Sequence, residues 1–403
     1  MLKIYPFRAL IPSKAHAPSV ACPPYDVLSI DEAQSIANQS PESFVHVIRP
    51  EVDPSIEDPH SKTAYEAAKR QLDDTVQSGQ LVEHEPAIYL YRQAAEDHVQ
   101  TGIVCCYDVQ QYRDGLIKKH ETTRPDKEDD RVEHMLACNA HPEPVLLTFR
   151  SNDQVDQLID TGTQSDPIFS FKAGDGVQHT GWKVDSGDAF VDAFSKIEAG
   201  YIADGHHRTA AADRVAKQVS NDQATEADRV LSVWFPSDQL RILAYNRIAR
   251  RPDGVTVSHI LQQLATVGEL VKTDNPTPSK AGQVCIYCDG TWHSLRFAAE
   301  LISESDLINS LDVAILQEHV LAPIFGIDDP RTDPDIEFVG GSKGTLALQT
   351  AVDSGQADFA FSMFPTSLDS LITVSDQGDV MPPKSTWFDP KLRSGLFVHR
   401  FDS

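Results

Sequence analysis

Twelve residues near the middle of the chain constrain its fold more than any other stretch: Tyr201-Ile202-Ala203-Asp204-Gly205-His206-His207-Arg208-Thr209-Ala210-Ala211-Ala212. They read as a short apolar strand, a tight Asp-Gly turn, and an alanine-rich helix starting near Thr209. Gly205 permits a positive φ that would strain other residues. The turn feeds a helix N-terminus, where unpaired backbone N–H groups and the macrodipole favour an anion. Arg208 adds a planar fork of donors suited to phosphate or carboxylate, and His206 and His207 can exchange a proton near neutral pH. The pattern predicts Gly205, Arg208 and Thr209 as phosphate-binding residues. Asp204 is expected to bind a metal or orient a histidine. A helix cap with two surface histidines is the simpler alternative.

A second concentration of charge runs from Lys118 through Lys119, His120, Glu121, Thr122, Thr123, Arg124, Pro125, Asp126 and Lys127 to Arg131. Pro125 and Asp126 break a strand and open a helix to about Asn139, on which Lys127, Asp130, Arg131 and His134 share a face. One reading is a mixed-charge solvated helix. The other is a phosphate or nucleotide cradle in which Arg124, Lys127 and Arg131 neutralise the anion while His120 or Glu121 handles protons.

Around these clusters the pattern alternates between helix and strand. Pro23-Pro24 gives an extended approach to Tyr25 and Asp26, which can line a site or form a rigid turn. Ser29 to Glu32 reads as the cap of a helix to about Gln39, and Phe44–Ile48 as a strand. A helix is expected from Thr63 to Ser78. Strands follow at 87–92, 98–111 and 116–120, the last two joined as a hairpin at Asp114-Gly115. Further strands are expected at 145–149, 169–172, 229–236 and 241–248, with helices around 152–160 and 188–198. The C-terminal part reads as helix, hairpin at Asp289-Gly290, a long helix at about 306–322, then strand, Gly340-Gly341, helix and strand. Arg247, Arg250 and Arg251 form a basic patch that either extends an anion site or decorates a solvated loop. Gly340-Gly341-Ser342-Lys343-Gly344 lacks the Gly-Lys-Ser/Thr order of a phosphate-binding loop.

With 403 residues the chain can bury a large core in two or three packing units. Thirty-five Lys and Arg against 60 Asp and Glu give a formal charge of −25. Such a surface repels nucleic-acid backbones, so DNA and RNA are not expected partners, and any anionic ligand needs a local cluster of bases. No run of about eighteen apolar residues occurs, so no membrane span is expected. The first residues lack a signal-peptide core, which makes the cytoplasm the expected location. Cys285-Ile-Tyr-Cys288 has metal-ligand spacing without a second pair, and the six cysteines read as reduced, buried thiols.

Gly205-x-x-Arg208-x-x-Ala211 is similar to the phosphate-contacting box of the ParB/sulfiredoxin superfamily, and Asp-Gly-His-His-Arg looks like its version in free-serine kinases. Sulfiredoxin's reactive cysteine falls where this chain has His206, so peroxiredoxin repair does not come with the likeness. The whole chain resembles the family called domain of unknown function 1015. The residues that carry this are Cys22-Pro23-Pro24-Tyr25-Asp26-Val27, His120-Glu121-x-Thr123 to Arg131, the Asp204–Arg208 turn, and Pro383-Lys384-Ser385-Thr386-Trp387-Phe388.

The resemblance tips Tyr25 and Asp26 towards substrate binding and adds Lys384 and Ser385. It also implies a mixed α/β fold: an antiparallel meander plus a ParB/sulfiredoxin-like core and a C-terminal α/β unit. The expected domains are 1–100, an N-terminal α/β segment; 101–252, the core with the site; and 253–403, the C-terminal unit. The leading functional expectation is a kinase-like phosphotransferase acting on a small hydroxylated metabolite, with ATP or ADP as co-substrate and Mg2+ held by carboxylates and phosphates. Free serine is the acceptor the resemblance implies. The alternatives are a metal-assisted phosphohydrolase using Asp204, His206, His207 and His120, and a non-catalytic nucleotide or metabolite binder. Oligomeric state is left open.

Overall fold

The computed structural model describes residues 1–185, 187–219, 225–303 and 306–402. The chain is a mixed α/β protein with two compact units. The first unit comprises Met1–Lys119, Thr123–Leu240 and Pro390–Ser403, and the second His120–Thr122 and Arg241–Asp389.

The first unit is built on a nine-stranded sheet among the described residues. Its path runs Ile117–Lys118, Gly200–Asp204, Val145–Phe149, Arg229–Pro236, Val99–Asp108, Tyr89–Ala94, Gln178–Lys183, Phe169–Lys172, with Ile4–Tyr5 on the Val99–Asp108 strand. Most pairings are antiparallel. Ile117–Lys118 with Gly200–Asp204, and Val145–Phe149 with Arg229–Pro236, are parallel. Strands buried on both faces need apolar residues at nearly every position, and Val-Leu-Leu-Thr-Phe at 145–149 is buried throughout.

Ile103, Cys105, Tyr107, Leu147, Phe149 and Trp234 share one core with Val155, Ile159, Phe190 and Phe194 from the Asp153–Gly162 and Gly187–Phe194 helices. Each fully buried phenylalanine contributes roughly 1.5–3 kcal/mol. The Pro125–Cys138 and His206–Val219 helices pack through Val132, Met135, Ala211 and Val215. The small alanines let that pair lie close, which fixes where the start of each helix points. A four-stranded sheet, Leu81–Glu83, Ala9–Pro12, Val398–Arg400 and Ala140–His141, ties the C-terminal strand into the same unit.

The second unit holds a six-stranded, fully antiparallel sheet ordered Gly268–Lys272, Thr291–Phe297, Gln283–Cys288, Phe359–Ser362, Tyr245–Ala249, Ile336–Gly340. Its Asp289-Gly290 turn has φ of 51° and 71°, the two positive values that a two-residue hairpin of this type requires. All six cysteines are buried and unpaired.

Several local expectations fail for physical reasons. Val45–Ile48 is a short helix, not a strand; four apolar residues bounded by Pro50 cannot be assigned by periodicity alone. Asp114-Gly115 is a turn but no hairpin. It ends the short Gln110–Arg113 helix, and Ile117–Lys118 finds a parallel partner about eighty residues away at Gly200-Tyr201. The helix expected at 306–322 begins only at Asp312 and continues as wide turns over Gln317–Phe325, where Pro323 removes a helical donor. The strand expected at 241–248 divides into Ile242–Leu243 and Tyr245–Ala249. The helix placed near Thr209 starts at His206, which draws both histidines into its first turn.

Candidate functional site

The Gly200–Asp204 strand ends in Asp204, and Gly205 turns the chain with φ of 96°. A Cβ on Gly205 would lie 3.1 Å from the Arg208 guanidinium carbon, so the turn needs glycine for both its backbone and its side-chain clearance. The helix then runs His206–Val219, its first acceptor being the Gly205 carbonyl, 2.9 Å from Thr209 N. Arg208 is buried, 3 % exposed, and folds back on this turn. Its Nη1 donates to the Pro144 carbonyl and its Nη2 lies 3.7 Å from Asp204 Oδ1. Asp204 Oδ2 accepts from Lys391 Nζ at 2.8 Å. Burial by itself would raise the Asp204 pKa, but Lys391 and then Arg208 hold the carboxyl well below the usual carboxylate range.

A second buried arginine belongs to the same unit. Arg131, 6 % exposed, donates from Nε and Nη2 to Asp130 Oδ2 at 2.9 and 2.7 Å. Its guanidinium carbon lies 4.0 Å from the centre of the Tyr25 ring. Glu143, only 3 % exposed, feels the charge of both arginines. Its Oε1 accepts from Ser394 Oγ at 2.6 Å and from Tyr25 N at 3.3 Å, and its Oε2 stays 3.9 Å from Arg131 Nη1. Burial raises the Glu143 pKa, and the charges of Arg208 and Arg131 only partly offset it.

Two nitrogens stand out. Arg131 Nη1 and Arg208 Nε are both buried without a hydrogen-bond acceptor. Buried donors left unsatisfied cost roughly 1–3 kcal/mol each, and a small oxyanion supplies the missing acceptors. The stiff Cys22–Val27 loop completes the surroundings. Cys22 and Ser394 exchange backbone hydrogen bonds at 3.2 and 2.9 Å, and Arg49 Nη1 donates to the carbonyls of Tyr25 and Leu28 at 3.0 and 2.7 Å. The adjoining Asp26 is exposed, and its charge bears on both Arg208 and Glu143.

The sequence model of the family described as "Protein of unknown function (DUF1015)" matches residues 4–314. The chain belongs to that family. No curated protein matches it. Among solved structures, a free serine kinase in complex with AMP is 12 % identical with a TM-score of 0.38, covering 71 % of this chain and 86 % of that one. C-terminally truncated SbnI from Staphylococcus aureus is 15 % identical with a TM-score of 0.40, covering 72 % and 85 %. A conserved hypothetical protein from Pyrococcus furiosus is 14 % identical with a TM-score of 0.37, covering 74 % and 95 %.

In this DUF1015 protein the residues singled out from sequence are drawn from both units. Tyr25, Asp26, Arg131, Asp204, Gly205 and Arg208 surround or adjoin Glu143 within the first unit. His206 and Thr209 are buried in the first turn of their helix, and the His207 ring accepts the Arg124 N–H at 3.1 Å. Arg124 is exposed, and its side chain pairs with Asp126 at 2.8 Å; Lys127 is half-buried one turn before Arg131. Of the three residues expected in the cradle, Arg131 is the buried one. His120, Glu121, Lys384 and Ser385 belong to the second unit. There His120 Nε2 lies 3.2 Å from Thr386 Oγ1, and the His120 carbonyl accepts from Met381 N at 2.7 Å.

Sequence reading missed Glu143, Lys391 and Ser394. Glu143 sits between two turn-forming residues in His141-Pro142-Glu143-Pro144, a signal that marks a fixed loop but not its burial. Lys391 and Ser394 follow the Pro383–Phe388 motif by a few residues and carry no periodic pattern.

Proposed function

We propose that this chain is a phosphotransferase acting on a small hydroxylated metabolite with a nucleotide as phosphoryl donor, and that Arg131 and Arg208 hold the phosphate. The observation that carries this reading is the pair of buried, acceptorless guanidinium nitrogens on Arg131 and Arg208, both of which act electrostatically on Glu143. In a chain of charge −25, such unused N–H donors are what a bound anion needs. Phosphoryl transfer asks for that kind of positioning and charge more than for covalent chemistry. Gly205 and the helix start supply further backbone donors.

Within this cluster Glu143 is the better proton acceptor for a substrate hydroxyl, because burial raises its pKa while Lys391 and Arg208 depress that of Asp204. Tyr25 and Asp26 bind the metabolite in this reading. Asp204 does not fit a magnesium ligand as it stands, since one oxygen faces an ammonium at 2.8 Å and the other a guanidinium at 3.7 Å.

The test uses purified protein with ATP or ADP and a panel of hydroxyl metabolites, read by mass spectrometry of products. Arg208→Lys keeps the charge and loses the fork; the expected result is loss of turnover with the fold retained. Turnover equal to the parent's in both Arg208→Lys and Arg131→Lys overturns the assignment. Tight nucleotide binding without turnover across the panel favours a non-catalytic binder.

A further inference from the structure

We propose that the second unit carries an oxyanion site of its own, formed by the buried Arg247 guanidinium together with the Lys384–Thr386 turn. This goes beyond the function proposed for the first unit and does not depend on it. Four arginines are buried among the described residues: Arg131, Arg208, Arg247 and Arg393. Arg131 pairs with Asp130, Arg208 lies by Asp204, and Arg393 pairs with Asp175. Arg247, 3 % exposed, has no carboxylate partner among the described residues.

Its Nη1 donates to the Tyr245 carbonyl, its Nη2 to the Lys384 carbonyl at 3.1 Å, and its guanidinium carbon is 5.3 Å from the Phe338 ring centre. Both terminal nitrogens thus meet neutral carbonyls, which leave the guanidinium charge uncompensated. Burial lowers its pKa to about 10, only partly countered by Tyr245.

The turn it supports brings a second cation. Lys384 holds a positive φ of 57°, and its ammonium lies 5.4 Å from the centre of the Tyr245 ring. Ser385 is buried, and Thr386 Oγ1 lies 3.2 Å from His120 Nε2. A buried charge without a counterion, beside a second cation, is matched by a phosphate or carboxylate group of a small metabolite.

Hydrogen–deuterium exchange of the full chain, with inorganic phosphate and with acetate in separate arms, separates this site from the other by location. The expected result is slowed exchange in peptides spanning 242–249 and 381–388, about tenfold at ten times the Kd. The arm that protects tells phosphate from carboxylate. Protection there should persist in Arg208→Lys and vanish in Arg247→Gln. Lys384→Asn, at an exposed position whose backbone asparagine tolerates, should weaken it several-fold and serves if Arg247→Gln does not fold. No protection of these peptides by either anion, or protection unchanged in Lys384→Asn, overturns the proposal. Protection limited to peptides covering 125–131 and 200–209 overturns it while supporting the function proposed for the first unit.

Discussion

The two ends of the first turns of one helix show how differently the same residue type can be used. Arg124, just before the Pro125–Cys138 helix, is exposed and closes on Asp126 two residues away. Arg131, two turns later, is buried against Tyr25 and Asp130 and faces a buried Glu143 without bonding to it. The first pair is screened by water and contributes little. The second is held where water cannot satisfy it, so its charge is available to a ligand. The two lie seven residues apart on one face, so depth along the helix and what packs there, rather than charge density along the sequence, separates a solvated run from a buried group.

Glu143→Leu should give the largest effect. It leaves two buried guanidinium groups with less compensation, and the expected loss is about 3–5 kcal/mol in urea denaturation. Phosphate should restore part of that loss if the arginines accept it as a substitute counterion. A loss within about 0.5 kcal/mol would place Glu143 with the solvated acids and erase the contrast.

Asp130 sharpens the comparison through pH. Burial would raise its pKa, but Arg131, His60 and Tyr65 lower it to about 2. A carboxyl depressed in the folded state stabilises fully above its unfolded value near 3.8 and loses that contribution as pH falls through about 2. Asp130→Asn should therefore lower stability by about 2 kcal/mol at pH 7 and flatten the acid limb of the stability curve between about pH 4 and 2. Asp126→Asn should leave that limb unchanged.

Gly205→Ala tests the turn that aims Arg208. Strain at positive φ together with crowding of the guanidinium should cost about 1–2 kcal/mol and weaken phosphate binding measured by calorimetry. Arg124→Ala should do least, with stability changed by less than about 0.5 kcal/mol and phosphate affinity unaltered. A tenfold loss of affinity in Arg124→Ala would return that residue to the site.

Much of the local architecture was legible from residue patterns. Ser29 and Glu32 form the capping box their spacing predicts, and the Asp289-Gly290 hairpin and the Pro125 helix start occur where turn chemistry puts them. These signals act over a few residues, where backbone preference and side-chain geometry decide the outcome. The failures came where the partner is distant: Ile117–Lys118 looked like half of a hairpin but completes a parallel pair with Gly200-Tyr201.

Sequence alone determined the Asp204–Arg208 turn, its glycine and the helix that follows, because a strand, a left-handed residue and an alanine-rich run leave the backbone few choices. Only the tertiary structure decided that Arg131, Glu143, Lys391 and Ser394 share that turn's surroundings, that Arg124 meets it through its backbone N–H while its side chain stays exposed, and that Arg247 is buried without an acid among the described residues. Burial is a property of what packs on a residue from elsewhere in the chain, and an ionic group's energy depends on burial and partners more than on its neighbours in sequence.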